Sequence, residues 1–233
     1  VRLRRLLSDA LRRGRLKHRR VFLELFSGSG ALSRAVERHG IGAVRVDIRD
    51  DPLLDLTDVR VFKIIKGWIA SGLIAGIWSG TPCGGLSRAR HGPPGGPMPR
   101  ALRAPDQVRG LPPNMLCAGD RQALKTSNVL ADRAGALLRL ARKRGIPGGE
   151  ENPHSSYLWN FPDRQRFVSD QNTHAHCVDY CAFGRPFRAR TRLMVFNMSV
   201  EHTDKLRCHG RGICSFSGRP HVQLVGTAQS RGF

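Results

Sequence analysis

Short apolar runs alternate with amphipathic segments along the first eighty residues. The runs VFLELF (21–26), AVRVDI (43–48) and LIAGIW (73–78) have the length of buried strands, and the segments between them repeat apolar residues at helical spacing. Strands that alternate with helices are typical of a parallel sheet covered by helices. The pattern therefore predicts an α/β fold with a mainly parallel sheet, whose ligands bind at the carboxyl ends of the strands.

The rest of the chain divides by composition. A long amphipathic helix is predicted to end near Gly145, and a strand is predicted at 192–198. Residues 91–113 hold seven of the fourteen prolines and predict a long loop, which is either functional, as an active-site loop, or a disordered insertion. Residues 199–233 are rich in Gly, Cys and His and predict a small separate module, which leaves 21–198 as the main domain.

The first twenty residues form a basic segment. Residues 1–20 contain nine Lys/Arg and one acid, and Leu3, Leu7 and Leu11 recur at helical spacing, so a helix is predicted to end near Gly14. Three interpretations stay open: a helix that packs on the core with a basic outer face, a nucleic-acid-binding arm, or the remnant of an Arg-rich targeting sequence.

Charge and cysteine usage narrow the class of protein. The formal net charge is +21, which favours a nucleic acid as partner, with a solvated basic surface or an organelle import history as the alternative. No apolar run is long enough to cross a membrane, and the basic first twenty residues do not resemble a signal peptide. The six cysteines do not resemble a secreted disulfide framework. An intracellular, reducing compartment is therefore expected, with the nucleus favoured over an organelle.

A Gly-x-Gly turn follows the first strand. Such a turn lets a cofactor approach backbone N–H groups at the start of a helix, although a purely structural turn has the same appearance. Glu24 is an acid within the apolar strand, and Asp47 ends the next strand, where an acid usually binds ribose hydroxyls. Asp55 is a further acid that is positioned to face an adenine.

The tail contains soft metal ligands. Four of its side chains are candidate zinc ligands: His202, Cys208, Cys214 and His221. Their spacing matches no common zinc finger, so thiols without a metal are the alternative. Cys177 and Cys181, in CVDYC, are interpreted as the packed beginning of a strand.

Four segments, in order, resemble motifs of the S-adenosylmethionine-dependent cytosine-5 DNA methyltransferases. FLELFSGSGALS (22–33) resembles their motif D-L-F-(S/A)-G-x-G-G-x-S, and SGTPCGGLS (79–87) resembles their nucleophile motif G-P-P-C-Q-G-F-S. EENPHSS (150–156) is similar to their E-N-V motif, and FGRPFRARTRLMVF (183–196) to their Y-G-V-P-Q-x-R-x-R motif. The resemblance implies a Rossmann-like methyltransferase fold.

The resemblance assigns roles to four residues. Cys83 would add to carbon 6 of cytosine, which turns carbon 5 into a nucleophile for the methyl group. Glu151 would assist from ring nitrogen 3, and Arg190 and Arg192 would hold the base or its phosphate. Because the thiolate is the reactive form, the site is expected to lower the pKa of Cys83, with Arg88 and Arg90 nearby.

The resemblance also implies contacts with S-adenosylmethionine. They fall on the glycine turn and on the two acidic segments that follow it. The residues are Phe26, Ser27, Gly28, Gly30, Leu32, Asp47, Ile48, Asp55 and Leu56.

The chain departs from the family pattern in places that bear on function. Thr81 stands for the first proline of the nucleophile motif and Gly84 for its glutamine, and the large target-recognition region is missing. Target choice is then expected from the Cys/His module, the N-terminal helix or a protein partner. The sequence predicts a cytosine-5 DNA methyltransferase. The alternatives are a catalytically inactive protein of that fold that binds RNA or DNA as a scaffold, and a cytosine-5 RNA methyltransferase.

Overall fold

The computed structural model describes residues 2–14, 19–88, 100–201 and 203–223. They form six strands and five α-helices. The strands are β1 (Val21–Leu25), β2 (Ala43–Val46), β3 (Ile74–Ser79), β4 (Gly148–Pro153), β5 (Thr173–Asp179) and β6 (Arg190–Phe196). The helices are α1 (Arg2–Arg13), α2 (Ala31–Arg38), α3 (Val59–Ala70), α4 (Ala118–Lys143) and α5 (Pro162–Val168).

The six strands form one mixed sheet in the order β2-β1-β3-β4-β6-β5. The ladders β1–β2, β1–β3 and β3–β4 are parallel, whereas β6 runs antiparallel to both β4 and β5. The predicted α/β class with a mainly parallel sheet is therefore confirmed. The four parallel strands place their carboxyl ends along one edge of the sheet, and the site lies there.

Two strands were not predicted, and the reason is physical. β4 reads GGEENP and has no apolar run, because its buried Glu150 is compensated by an ion pair rather than by neighbouring apolar side chains. β5 lies at the edge of the sheet and is half exposed, so His174 and Ala175 break the hydrophobic pattern. The sequence therefore predicted irregular chain for β4 and, in β5, only a packed strand entry at Cys177.

Helix α1 packs on the sheet. Its Leu3, Leu7 and Ala10 are buried in the main hydrophobic core. Ala10 lies so close to the turn before β2 that a Cβ on Gly42 would be 1.9 Å from the Ala10 carbonyl oxygen. Of the three interpretations of the basic segment, the packed helix with a basic outer face describes residues 2–14.

Part of the proline-rich loop belongs to the core. Leu102 and Arg103 are 1% exposed, so residues within 100–113 are buried although the sequence of this stretch has no core-forming pattern. The other residues of that predicted loop, 91–99, lie outside the described residues. The described part of the chain has no helix that is both long and apolar enough to cross a membrane.

Candidate active site and metal-binding group

A cavity of about 1030 Å³ opens at the carboxyl ends of the parallel strands. Its walls come from the segments that follow β1, β2 and β3, from the end of β4, and from one face of α4. Tyr180, Ala189 and Thr191 close the side next to β6. This volume is at the upper end of the ~300–1,000 Å³ that is typical of ligand pockets, so the cavity has room for more than one small ligand.

The glycine turn and the second strand are joined by Asp47. Its Oδ2 accepts a hydrogen bond from the Gly28 N–H (2.7 Å), and its Oδ1 accepts one from the Arg49 N–H (2.8 Å). Gly28 has a left-handed φ of 52°, and a Cβ there would meet nothing within 4 Å, so the turn is open on the cavity side. The carboxylate of Asp47 is thereby fixed at the cavity wall with one lone pair free on each oxygen.

Glu24 supports the same turn from below. It is buried within β1, and its Oε2 accepts hydrogen bonds from the backbone N–H (3.0 Å) and the hydroxyl of Ser33 in the first turn of α2. A carboxylate at a helix N-terminus is favourable because it binds the unpaired N–H groups there. Glu24 does not line the cavity, so its carboxylate holds the turn in place and does not contact a ligand there.

Two non-glycine residues of the cavity wall have strained backbones. Phe26 has φ 56° and Ala189 has φ 32°. The Phe26 N–H donates to the Val46 carbonyl (2.7 Å), which holds this conformation at the end of β1. Such outliers cluster at functional sites, because only a surrounding structure that over-determines them can keep them there.

The predicted cofactor residues divide into two groups. Phe26, Gly28, Asp47, Ile48, Asp55 and Leu56 line the cavity. Ser27, Gly30 and Leu32 are not among its lining residues. Asp55 is held in place by Thr57, whose N–H and hydroxyl each donate to it at 2.7 Å.

The loop that carries Cys83 is fastened on both sides. Before the cysteine, the Thr81 hydroxyl donates to Glu150 Oε1 (2.6 Å), and Asn152 Nδ2 donates to the Thr81 carbonyl (2.6 Å). After it, the buried Arg103 donates through Nε to the Gly85 carbonyl (2.6 Å). Thr81 therefore has a hydrogen-bonding role of its own.

Arg103 also connects this loop to helix α4. It donates to the Ser127 hydroxyl (2.7 Å), the Asn128 amide oxygen (3.0 Å) and the Val108 carbonyl (2.5 Å). Burial lowers the pKa of Arg103 to about 10, so it stays charged at neutral pH. A Cβ on Gly85 would meet Ser127 at 2.6 Å, whereas one on Gly84 would meet nothing within 4 Å.

Cys83 lies exposed at the cavity, and its pKa is raised, contrary to expectation. Protein atoms around the thiol displace water and disfavour its charged form, and the negative charge of Glu151 raises the pKa further. Arg88, one of the cations expected to lower it, lies instead over the Tyr157 ring at 5.1 Å from the ring centre. Arg90 lies outside the described residues.

Glu151 lines the same cavity and has a raised pKa. Burial is the main cause, and the charge of Glu24 adds to it. The preceding acid is different in kind, since Glu150 is fully buried and forms an ion pair with Arg164 (2.9 Å). The structure therefore brings Glu151, not Glu150, together with Cys83.

The structure does not bring Arg190 and Arg192 to the cavity. Side chains alternate along a strand, and it is Thr191 on β6 and Ala189 just before it that line the cavity. Arg190 instead pairs with the buried Asp179 through two hydrogen bonds of 3.0 Å, and Arg192 lies over the Trp159 ring. The expectation that these arginines hold the base is corrected accordingly.

Sequence reasoning missed several cavity residues. Tyr180, Lys125 and Arg133 line the cavity, and no local motif marked them. Asn152 lies within the EENPHSS segment, but no role was assigned to it. It is 3% exposed, and its Oδ1 has no hydrogen-bond partner among the described residues, so it offers an acceptor at the cavity wall.

A second group of residues lies next to the cavity. Cys181, Cys208, Cys214 and His221 have ligand atoms that all lie within 4.8 Å of one another. Of the four predicted ligands, His202 lies outside the described residues, and Cys181 completes the described group. Cys177 lies within β5, in agreement with the interpretation of CVDYC as part of a strand, whereas Cys181 lies two residues beyond the end of β5 and joins this group, so the tail shares the group with the main sheet.

The geometry of this group fits a tetrahedral metal ion. Four ligands at ~2.3 Å from zinc lie roughly 3.8 Å apart, and Cys208 Sγ is 3.7 Å from His221 Nε2. Burial disfavours ionisation of Cys214, but hydrogen bonds from the side chain and N–H of Ser217 bring its pKa to about 6. At least one thiol therefore favours the metal-binding thiolate at neutral pH.

Asp179 connects the metal-binding group to β6. This fully buried carboxylate accepts from the Cys208 N–H (2.7 Å) as well as from Arg190, and Arg188 lies 3.4 Å away. The three contacts hold its pKa below the usual range although burial acts in the opposite direction. The tail is thus fixed to the strand pair whose residues form one cavity wall.

No protein-family model matches the chain, and the comparison with curated proteins found no match either.

Proposed function

We propose that the protein transfers a methyl group from S-adenosylmethionine to carbon 5 of cytosine in DNA, through a covalent bond between Cys83 and carbon 6. One observation carries the proposal. Cys83 and Glu151 line the same cavity as Gly28, Asp47 and Asp55, so a nucleophile, an acid and a cofactor-type turn meet at one edge of the sheet.

The residues on the side of β1 and β2 fit the cofactor. Asp47 would accept hydrogen bonds from the ribose hydroxyls, and Asp55 would accept one from the adenine amino group. Phe26 offers a ring beside them, and the open Gly28 turn admits the ligand. When bound, S-adenosylmethionine supplies an electrophilic methyl group.

The residues on the other side fit a cytosine taken out of the duplex. The Cys83 thiolate adds to carbon 6, and the electron pair of the ring moves to nitrogen 3, which takes a proton from Glu151. Carbon 5 would then take the methyl group that the bound cofactor supplies, and the bond from methyl to sulfur would break, so that the sulfur leaves as the neutral thioether of S-adenosylhomocysteine. Loss of the carbon 5 proton to water and return of the nitrogen 3 proton to Glu151 break the Cys83–carbon bond and restore the ring.

The raised pKa of Glu151 supports this role, because a general acid must be protonated when the reaction begins. Protonation of Glu151 also removes the charge that raises the pKa of Cys83. Protonated Glu151 would therefore act as the acid for the ring and would also make ionisation of the Cys83 thiol easier. The free Oδ1 of Asn152 is a candidate acceptor for the exocyclic amino group of the base.

A catalytically inactive protein that binds nucleic acid is the second candidate. The observation that favours it is the raised pKa of Cys83, since a thiol is a much weaker nucleophile than a thiolate. That protein would keep the basic surface and the cavity but form no bond with cytosine.

A trapping experiment separates the two candidates. Duplexes with randomised flanks that contain 5-fluorocytosine are incubated with the protein and S-adenosylmethionine, and denaturing gels and mass spectrometry detect adducts. Because fluorine at carbon 5 blocks the final elimination, an active enzyme accumulates a covalent adduct.

We expect Cys83→Ser to abolish the adduct and Cys117→Ser, at another exposed cysteine, to leave it unchanged. Wild-type protein that gives no adduct would contradict the methyltransferase proposal. An adduct only with RNA that contains 5-fluorocytosine would change the substrate to RNA.

We propose that the ion held by the metal-binding group is Zn²⁺. Three cysteines and one histidine are the donor set of many structural zinc sites, and N–H groups of Ser215 and Phe216 approach Cys208 and Cys214 sulfurs at 3.4 Å. Zinc would fix the tail in its folded form.

A further inference from the structure

An exposed surface surrounds the metal-binding group. It combines large apolar side chains with arginines, and we call it the metal-loop surface: Phe183, Arg185, Arg211, Ile213, Phe216 and Arg219. Phe183 is 59% exposed and Phe216 is 44% exposed. Side chains of this size are normally buried, so their exposure within one small region indicates an interaction site.

The charge of this region matches a polyanion. Residues 181–223 contain eight Lys/Arg and two acids, Glu201 and Asp204. Arginines bind phosphates, and aromatic rings that stand between them can stack on bases or sugars. A protein partner would not require that excess of one sign.

The chain leads directly from the cavity wall to the metal-binding group. Tyr180 lines the cavity, and the next residue, Cys181, belongs to the metal-binding group. The Val222 N–H donates to the Pro186 carbonyl (2.8 Å), which seats the tail on the segment that leads to Ala189 and Thr191. A nucleic acid on this surface would therefore reach the cavity.

The metal-binding group explains how a short tail can present aromatic side chains rigidly. Cys208 and Cys214 are buried with Cys181 in a small cluster of their own, and the loop between Cys214 and Arg219 is closed by a backbone hydrogen bond of 2.8 Å. A bound ion would replace the hydrophobic core that this segment is too short to form.

We propose that the metal-loop surface binds DNA beside the cavity, with Arg185, Arg211 and Arg219 on phosphates and Phe183 and Phe216 against the bases around the displaced cytosine. The choice of DNA rests on the proposed function. Apolar side chains that enter the gap left by a displaced base compensate for lost stacking.

The test measures binding of the full-length, zinc-loaded chain to a fluorescein-labelled duplex with one mispaired cytosine. Fluorescence anisotropy at several salt concentrations compares Arg211→Ala/Arg219→Ala with Arg4→Ala/Arg5→Ala. The second pair removes the same charge from the exposed face of α1 and is the matched control.

We expect the metal-loop pair to weaken binding about tenfold more than the control pair and to reduce the salt dependence by about two phosphate contacts. Phe183→Ala/Phe216→Ala is expected to weaken binding roughly fivefold or more per stacked base without changing the salt dependence. Met115→Ala, another exposed apolar residue, should have no effect. Zinc content is measured for each variant.

Equal losses from both arginine pairs would overturn the proposal, because they would reflect net charge alone. So would aromatic variants that keep zinc and bind DNA normally, or losses confined to an RNA hairpin. If the wild type forms the Cys83 adduct but these variants bind DNA normally, only the surface assignment fails. If the variants lose DNA binding and the wild type forms no adduct, only the methyltransferase proposal fails.

Discussion

At the scale of single residues, Cys83 and Glu151 are electrostatically linked. The carboxylate of Glu151 raises the pKa of Cys83, and burial raises the pKa of both groups. A protonated acid and a thiolate are needed together, and raised pKa values favour the first and oppose the second. The balance between them sets how reactive the cysteine is at neutral pH.

Glu151→Gln is expected to lower the pKa of Cys83. Removing the negative charge stabilises the thiolate, so the thiolate fraction at about pH 8 rises and alkylation becomes faster. The rate of Cys83 modification by iodoacetamide, followed by peptide mass spectrometry from about pH 6 to pH 10, should reach half its maximum at a lower pH than in the wild type.

Cys117 provides the internal reference in that measurement, and Glu37→Gln, far from the cavity on α2, provides the matched variant. The Cys117 profile should be the same in the wild type and in Glu151→Gln, and the Cys83 profile should be the same in the wild type and in Glu37→Gln. An unchanged Cys83 profile in Glu151→Gln would show that the two groups do not interact.

The sequence identifies the residues of the cavity that belong to short linear motifs. Cys83, Glu151, Asp47 and Asp55 all line it. Arg190 was assigned wrongly, because its direction depends on the phase of β6, which a motif does not fix. Arg103 was missed, because its partners lie on three separate segments.

At the scale of elements, one buried ion pair joins β4, α5 and α4. Arg164 is fully buried, binds both oxygens of Glu150 at 2.9 Å, and donates to the Ala131 carbonyl. Glu150 in turn accepts from Thr81, so the same pair supports the loop before Cys83. Packing of these elements therefore depends on an interaction between charged groups.

Arg164→Met is expected to lower the free energy of unfolding by about 3–5 kcal/mol, because Glu150 would be left buried and uncompensated. Arg139→Met is the matched control. Arg139 also pairs with Asp163 but is 43% exposed, so its loss should lower the free energy by only about 0–1 kcal/mol.

Urea denaturation followed by circular dichroism measures both values. Similar losses in the two variants would mean that Glu150 is solvated or protonated in the folded protein, contrary to the buried ion pair.

The same elements show where sequence patterns stop being informative. β1, β2 and β3 were predicted because their apolar runs are continuous and buried on both faces. β4 and β5 carry acids and histidines whose burial depends on partners distant in sequence. Cys181 was overlooked for the same reason, since 26 residues separate it from Cys208.

At the scale of the whole molecule, the two halves of the sheet support different proposed sites. The segments after the parallel strands β1, β2 and β3 carry the cofactor-type turn and acids, whereas the metal-binding group is joined to the antiparallel strands β5 and β6 through Cys181 and Asp179. The cavity lies between the two halves.

Cys181→Ser is expected to remove about one equivalent of zinc per chain and to lower the melting temperature, since the ion would contribute to folding. Cys177→Ser, which removes a neighbouring thiol that only approaches His154 at 3.1 Å, should keep both at their wild-type values. Elemental analysis and calorimetry measure the two quantities. Equal zinc content in both variants would contradict the metal assignment.

The direct connection between Tyr180 and Cys181 has a thermodynamic consequence. Residue 180 belongs to the cavity and residue 181 to the metal-binding group, so an ordered state of one favours an ordered state of the other. Linkage is reciprocal: whatever factor the ion contributes to affinity for a ligand in the cavity, that ligand contributes to affinity for the ion. With positive coupling, scarcity of metal would reduce the affinity of the cavity for its ligand, and a bound ligand would raise the affinity for the metal by the same factor.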